Sequence, residues 1–141
     1  MTGSHFSPGT DVEVNLDSEE SCSAWIPAIV VKENKDNTFL VKYHNPKPKH
    51  WGITVDFLHI RPPAPRYADR TYKLHEKVDA FCDSAWRPGE ITEILIGKTY
   101  TVTFKNTMKS KELSRAEIRP RVEWRGGKWE IESRVCEYTC Q

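Results

Sequence analysis

Residues 58–63 read Leu58-His59-Ile60-Arg61-Pro62-Pro63 (LHIRPP), and residues 117–120 read Glu117-Ile118-Arg119-Pro120 (EIRP). Either the Ile-Arg-Pro string recurs by accident, or it closes two copies of one structural unit. Working upstream from each string decides the matter. Trp25-Ile-Pro-Ala28 precedes the first and Trp86-Arg-Pro-Gly89 the second. Eighteen residues beyond each Trp stand Tyr43, in Val41-Lys-Tyr43, and Phe104, in Val102-Thr-Phe104. Earlier still come Val12-Glu-Val14 and Val78-Asp-Ala80, each six residues after an aromatic, Phe6 and Tyr72. Four anchors in one order make the chain a tandem repeat, and a repeat has to be found before any fold is assigned.

Each copy reads as strand. Val12 and Val14 alternate with Asp11 and Glu13, so one face looks inward. Ala28 to Val31 is a short apolar run, followed by a turn at residues 33–37 and a strand from Thr38 to Tyr43. The second copy repeats this as Gly89 to Ile96, a Gly97-Lys98 turn, and Thr99 to Phe104. The turn chemistry and the β-branched enrichment predict hairpins. Helical periodicity is absent except around Leu113 to Ile118. Four or five short strands per copy predict an all-β chain of two small, strongly bent barrels, at residues 5–65 and 70–130. The connection at 66–71 is short and units of this size bury little core, which favours barrels packed in tandem. Residues 131–141 read as an unpatterned tail that need not be ordered. Each closing Ile is expected to plug its barrel, each Pro to end strand pairing, and Arg61 and Arg119 to anchor the exit on carboxylates or carbonyls.

Composition narrows the function classes. No stretch approaches the ~18 apolar residues of a membrane span, and Met1 to Pro8 lacks the pattern of a signal peptide. The four cysteines (Cys22, Cys82, Cys136, Cys140) include no Cys-x-x-Cys pair, which fits a reduced intracellular protein. Among these cysteines and the five histidines (His5, His44, His50, His59, His75) there is no metal-ligand spacing. There is no phosphate-cradling glycine loop and no nucleophile elbow. No enzyme, metal or cofactor is therefore expected. Net charge is only +1, but it is polarised: residues 1–31 hold Asp11, Glu13, Asp17, Glu19 and Glu20 without a single Lys or Arg.

The strings Val12-Glu-Val14, Trp25-x-Pro-Ala28, Val41-x-Tyr43 and Phe57-Leu-His-Ile-Arg-Pro62 resemble the first half of a plant Agenet pair. Val78-Asp-Ala-Phe81, Trp86, Val102-x-Phe104, Ile118-Arg-Pro120 and Glu123-Trp124-x-x-Gly127-Lys-Trp129 resemble the second. The resemblance covers roughly residues 5–130. It implies Tudor-like folds of the Royal group, a nuclear, chromatin-linked role, and for some tandem pairs the reading of histone H3 tails methylated on the lysine at the ninth residue. Such a site surrounds the methylated ammonium with aromatic faces, each contributing ~0.5–2 kcal/mol.

The resemblance nominates Tyr43, at the end of the third strand, as the first cage residue. Trp25 has two readings, cage wall or structural residue, because the family's cage side chain is more often its neighbour, here Ile26. Trp51, in the loop before the fourth strand, is the third candidate, and Asp17, Glu19 and Glu20 form the acidic rim. Ser21 stands where relatives often carry Phe. In the second copy Cys82 and Arg87 occupy positions where aromatics are common, so no cage is assigned there. Two other partner classes stand beside the histone peptide. Residues 42–51 and Lys105 to Lys111 are basic loops suited to nucleic-acid phosphates, and an open sheet edge suits another nuclear protein.

Overall fold

The structure is a computed structural model that describes residues 6–15, 24–47, 50–67, 69–105 and 107–131, with backbone alone at 45–47 and 50–51. The chain divides into two compact units, Met1–Ala64 and Pro65–Gln141. Unit 1 contains β1 (Asp11–Val14), β2 (Ile26–Glu33), β3 (Thr38–Lys47), β4 (His50–Asp56) and β5 (Ile60–Arg61). Unit 2 contains β6 (Lys77–Cys82), β7 (Ala85–Leu95), β8 (Thr99–Phe104), β9 (Ser110–Ser114) and β10 (Ile118–Pro120). A hairpin of β11 (Val122–Arg125) and β12 (Lys128–Ile131) follows.

Strand order shows the repeat directly. One sheet runs β4-β3-β2-β1-β5 and the other β9-β8-β7-β6-β10, so each closing Ile-Arg strand lies beside its copy's first strand. Among the described residues no ladder joins the two outer strands of either sheet. The units are thus open, bent, barrel-like sheets. The bend has the same cause in both. A β-bulge lies between Val30 and Lys32 in β2 and between Ile91 and Glu93 in β7, and an extra residue on one strand increases the local twist. Matching backbone bonds hold the bulges. Gly9 donates to the Val30 carbonyl (2.8 Å) and Val30 to Thr10 (3.0 Å), while His75 donates to Ile91 (2.7 Å) and Ile91 to Glu76 (3.0 Å). Gly9 and His75 both sit at positive φ, 86° and 71°.

Alternation then builds the cores. Val12, Val14, Ala28, Val30, Phe39, Val41 and Ile60 pack together in unit 1, and Val78, Ala80, Ile91, Tyr100, Val102, Leu113 and Ile118 in unit 2. Ile60 and Ile118 are buried, as expected of plugs. An edge-on aromatic pair closes each core: Phe6 with Phe39 (centroids 5.5 Å) and Tyr72 with Tyr100 (5.4 Å).

Two local expectations change. The helical periodicity near Leu113 becomes a single 3₁₀ turn, Arg115–Glu117, held by a capping box between Ser114 and Glu117. Its counterpart is Phe57–His59, where the Asp56 carboxylate accepts from the Leu58 amide (3.0 Å). Too few residues separate each fourth strand from its Ile-Arg-Pro string for a longer helix. The basic loop at residues 42–51 is also largely strand: β3 continues to Lys47 and β4 begins at His50, so the backbone of Trp51 belongs to β4. Continued cross-strand pairing, Lys47 with His50, extends the ladder past the basic residues.

Candidate functional site

Each unit carries a buried clamp at its exit. Glu13 faces away from the unit 1 core, and the Arg61 guanidinium donates to it through Nε (3.0 Å) and pairs with it as an ion, Nη2 lying 2.9 Å from the same oxygen. The Ala64 amide donates to the second carboxylate oxygen of Glu13 (3.3 Å), which pins the outgoing chain. The guanidinium lies over the Trp25 ring, 3.8 Å from its centroid. Unit 2 repeats the arrangement with Asp79, Arg119 and Trp86. Arg119 is 4.3 Å above the Trp86 centroid, and its Nε is 3.7 Å from Asp79 Oδ2. Here a further cation takes part, since Arg121 donates to Asp79 Oδ1 at 2.7 Å. The Ile-Arg-Pro arginines therefore pair with carboxylates, and each uses the repeat's Trp as a lid.

The other notable surface is the mouth of each sheet, where core-facing positions reach solvent. Tyr43 pairs in register with Ala28, Ile26 with Val14, and Ile53 with Val41. Directly opposed residues share a face, so Ile26, Tyr43 and Ile53 form a rim above Val14, Ala28 and Val41, and all three pack on the core half-buried. Burial raises the Tyr43 phenol above its ordinary pKa, so it stays neutral and its ring remains an electron-rich face.

Of the nominated aromatics, Tyr43 and Trp25 lie on opposite faces of the sheet. Tyr43 is at the mouth of unit 1. Trp25 precedes Ile26 and so points away from that face, and its ring is covered by Arg61. Trp51 has its backbone beside Gly52, which pairs with Lys42. Asp17, Glu19 and Glu20, like Ser21, lie outside the described residues. Sequence reasoning missed Ile53, because only the β3–β4 register reveals that it shares a face with Val41 and Tyr43.

The mouth of unit 2 is built on the same rungs from different chemistry. Phe104 pairs with Gly89 and Arg87 with Ala80, as Tyr43 does with Ala28 and Ile26 with Val14. Lys111 pairs with Val102, in the place of Ile53. Cys82 continues the inward series Val78, Ala80 and packs against the core as a free thiol.

The sequence profile of the Agenet domain matches residues 9–65 and again 75–123. The chain belongs to the Agenet family. It is similar to two Arabidopsis thaliana proteins in particular. DUF724 domain-containing protein 7 is 39% identical over 135 residues, covering 94% of this chain and 19% of the relative. Protein AGENET DOMAIN (AGD)-CONTAINING P1 is 33% identical over 131 residues, covering 89% and 25% respectively. This Agenet chain thus spans a fifth to a quarter of the length of these relatives. Two solved structures have the same fold. The Arabidopsis thaliana AGDP1 AGD34 crystal structure matches with TM-score 0.82 and 31% identity over 90% of each chain. The ADCP1 tandem Agenet domain 3-4 matches with TM-score 0.78 and 30% identity, over 90% of this chain and 88% of that one. Tandem Agenet domains are Tudor-like, chromatin-associated modules that bind proteins or peptides.

Proposed function

We propose that this Agenet pair is a nuclear, non-enzymatic reader in which the mouth of unit 1 binds a methylated lysine of the histone H3 tail. The lysine at the ninth residue is the first to test. The observation that carries this reading is Tyr43, a half-buried neutral phenol at the rim of a Tudor-like sheet. A methylated ammonium keeps its charge but loses hydrogen-bond donors, so an aromatic face beside apolar walls suits it better than it suits water. Ile26 and Ile53 supply those walls. Asp17, Glu19 and Glu20 are the carboxylates assigned to its rim, and Trp51 is the further aromatic assigned to the cage. With so few aromatics, flanked by two isoleucines, the ligand is held weakly, with a micromolar or weaker Kd.

Calorimetric titration with H3 peptides, unmodified and methylated at the ninth residue, tests the reading. Heat is expected from the methylated peptide and its loss on Tyr43→Ala, with Trp51→Ala reporting the second aromatic. Equal heats from both peptides, or none, would remove the methyl-lysine assignment.

A further inference from the structure

The mouth of unit 2 has the same scaffold as that of unit 1 and the opposite electrostatic character. Its rim consists of Cys82 on β6, Arg87 on β7, Phe104 on β8 and Lys111 on β9. Arg87 is half-buried and held in place by the tight turn that precedes it. It donates through Nε to the Cys82 carbonyl (2.8 Å) and through Nη2 to the Asp83 carbonyl (3.3 Å). The turn residues Asp83 and Ser84 both have positive φ (53° and 64°), the conformation of a two-residue hairpin turn. Those bonds fix the guanidinium but do not neutralise it, because carbonyls carry no net charge. Its Nη1 side remains for a ligand. From the other side Lys111 brings its ammonium to 3.8 Å from the Cys82 sulfur. Two cations therefore converge on one residue at the open end of the sheet.

Among the described residues neither Arg87 nor Lys111 forms an ion pair with a carboxylate. Glu93 and Glu112 both pair in register with Thr101, on the face opposite to Val102 and Lys111. From Gly97 to Lys111 the chain has four lysines (Lys98, Lys105, Lys109, Lys111) and no acid. Lys105 and Lys109 are exposed on the loop that follows Phe104, and the Lys109 carbonyl accepts from the Phe104 amide (2.8 Å). The turn contributes one exposed acid, Asp83. A fixed guanidinium and an ammonium over an aromatic floor make a point-like receptor for an oxyanion.

We propose that the mouth of unit 2 binds the anionic side chain, carboxylate or phosphate, of an acidic peptide segment. The observations favour a peptide over a nucleic acid. The cationic groups are confined to one sheet end of a chain whose net charge is +1, whereas a polyanion needs a track of neutralising contacts. Phe81 and Trp86 are no base-stacking platform, because they pack on each other (centroids 5.1 Å) and Arg119 covers the indole.

The experiment is an amide-resolved NMR titration of the full chain with three short peptides that differ at one central residue: phosphoserine, glutamate or serine. Phosphoserine and glutamate peptides are expected to shift Cys82, Arg87, Phe104 and Lys111 saturably, and the serine peptide is not. The ratio of the two affinities tells which oxyanion is preferred. Binding should fall about tenfold in Lys111→Glu, an exposed site that keeps the fold, weaken with added salt, and fall further in Arg87→Gln. Tyr43→Ala should leave it unchanged, which separates this proposal from the methyl-lysine reading of unit 1. Equal response to all three peptides, shifts without these residues, or indifference to Lys111→Glu would overturn it. So would a uridine oligonucleotide that saturates the same residues when the acidic peptides do not.

Discussion

Units 1 and 2 share strand order, bulge position, aromatic pair and exit clamp, yet they differ wherever a side chain reaches solvent at the mouth. Ile26, Tyr43 and Ile53 in unit 1 correspond by rung to Arg87, Phe104 and Lys111 in unit 2. The scaffold is conserved between the copies because it is over-determined by register and packing. The rim varies because a half-exposed position contributes little to stability and can change its chemistry freely. A tandem pair can thus carry two ligand preferences on one fold.

The largest test of the shared scaffold is at the clamps. Arg61→Met removes the guanidinium that pairs with the buried Glu13 carboxylate, and should cost about 3–5 kcal/mol of unit 1 stability. Arg119→Met should cost less, about 1–3 kcal/mol, because Arg121 still donates to Asp79. Hydrogen exchange resolved by unit reads this better than a single melting curve, since two units need not unfold together. Equal costs would break the claimed asymmetry.

A smaller effect is expected from making unit 2 more like unit 1. Gly89 occupies the rung of Ala28, but a Cβ there would meet Val102 Cγ1 at 2.7 Å and the Thr103 carbonyl oxygen at 2.9 Å. Gly89→Ala should therefore destabilise unit 2 by about 1–3 kcal/mol, measured by urea titration. A neutral result would mean that the two sheets are more alike than their side chains suggest. At the mouth of unit 1, Ile26→Trp offers a second aromatic face and should tighten methylated-peptide binding by ~0.5–2 kcal/mol, read by calorimetry. An unchanged affinity would show that Ile26 does not border the ligand.

The core pairs differ in a way that pH can resolve. Phe6 and Phe39 carry no ionisable group, whereas Tyr72 donates to the Ile118 carbonyl (3.1 Å) and its amide donates to the Tyr100 hydroxyl (3.2 Å). Burial holds the Tyr72 phenol far above its ordinary value of 10.0. A phenol with a raised folded pKa binds more protons when folded, so its stabilising contribution is full below pH ~10 and is lost as pH rises beyond it. Unit 2 should lose about 1 kcal/mol by half a pH unit above that point, and Tyr72→Phe should flatten the slope. Exchange rates that accelerate equally in both units would contradict the assignment.

Much of this molecule is legible in its sequence. The repeated Ile-Arg-Pro, Trp-x-Pro and Val-x-aromatic strings marked two all-β units, and alternation within each strand separated core from surface. The family resemblance left Trp25 two readings and gave its neighbour Ile26 as the position that more often faces the mouth. The partners of these residues could not be read in the same way. That Trp25 lies under Arg61 depends on β1 and β5 pairing across most of unit 1. That Ile53 and Lys111 complete the two rims depends on registers that include a bulge. A strand's own sequence sets which side chains share its face, because the pleat has a period of two. Which faces meet, and hence whether a mouth attracts a cation or an anion, is decided only when distant strands find their register.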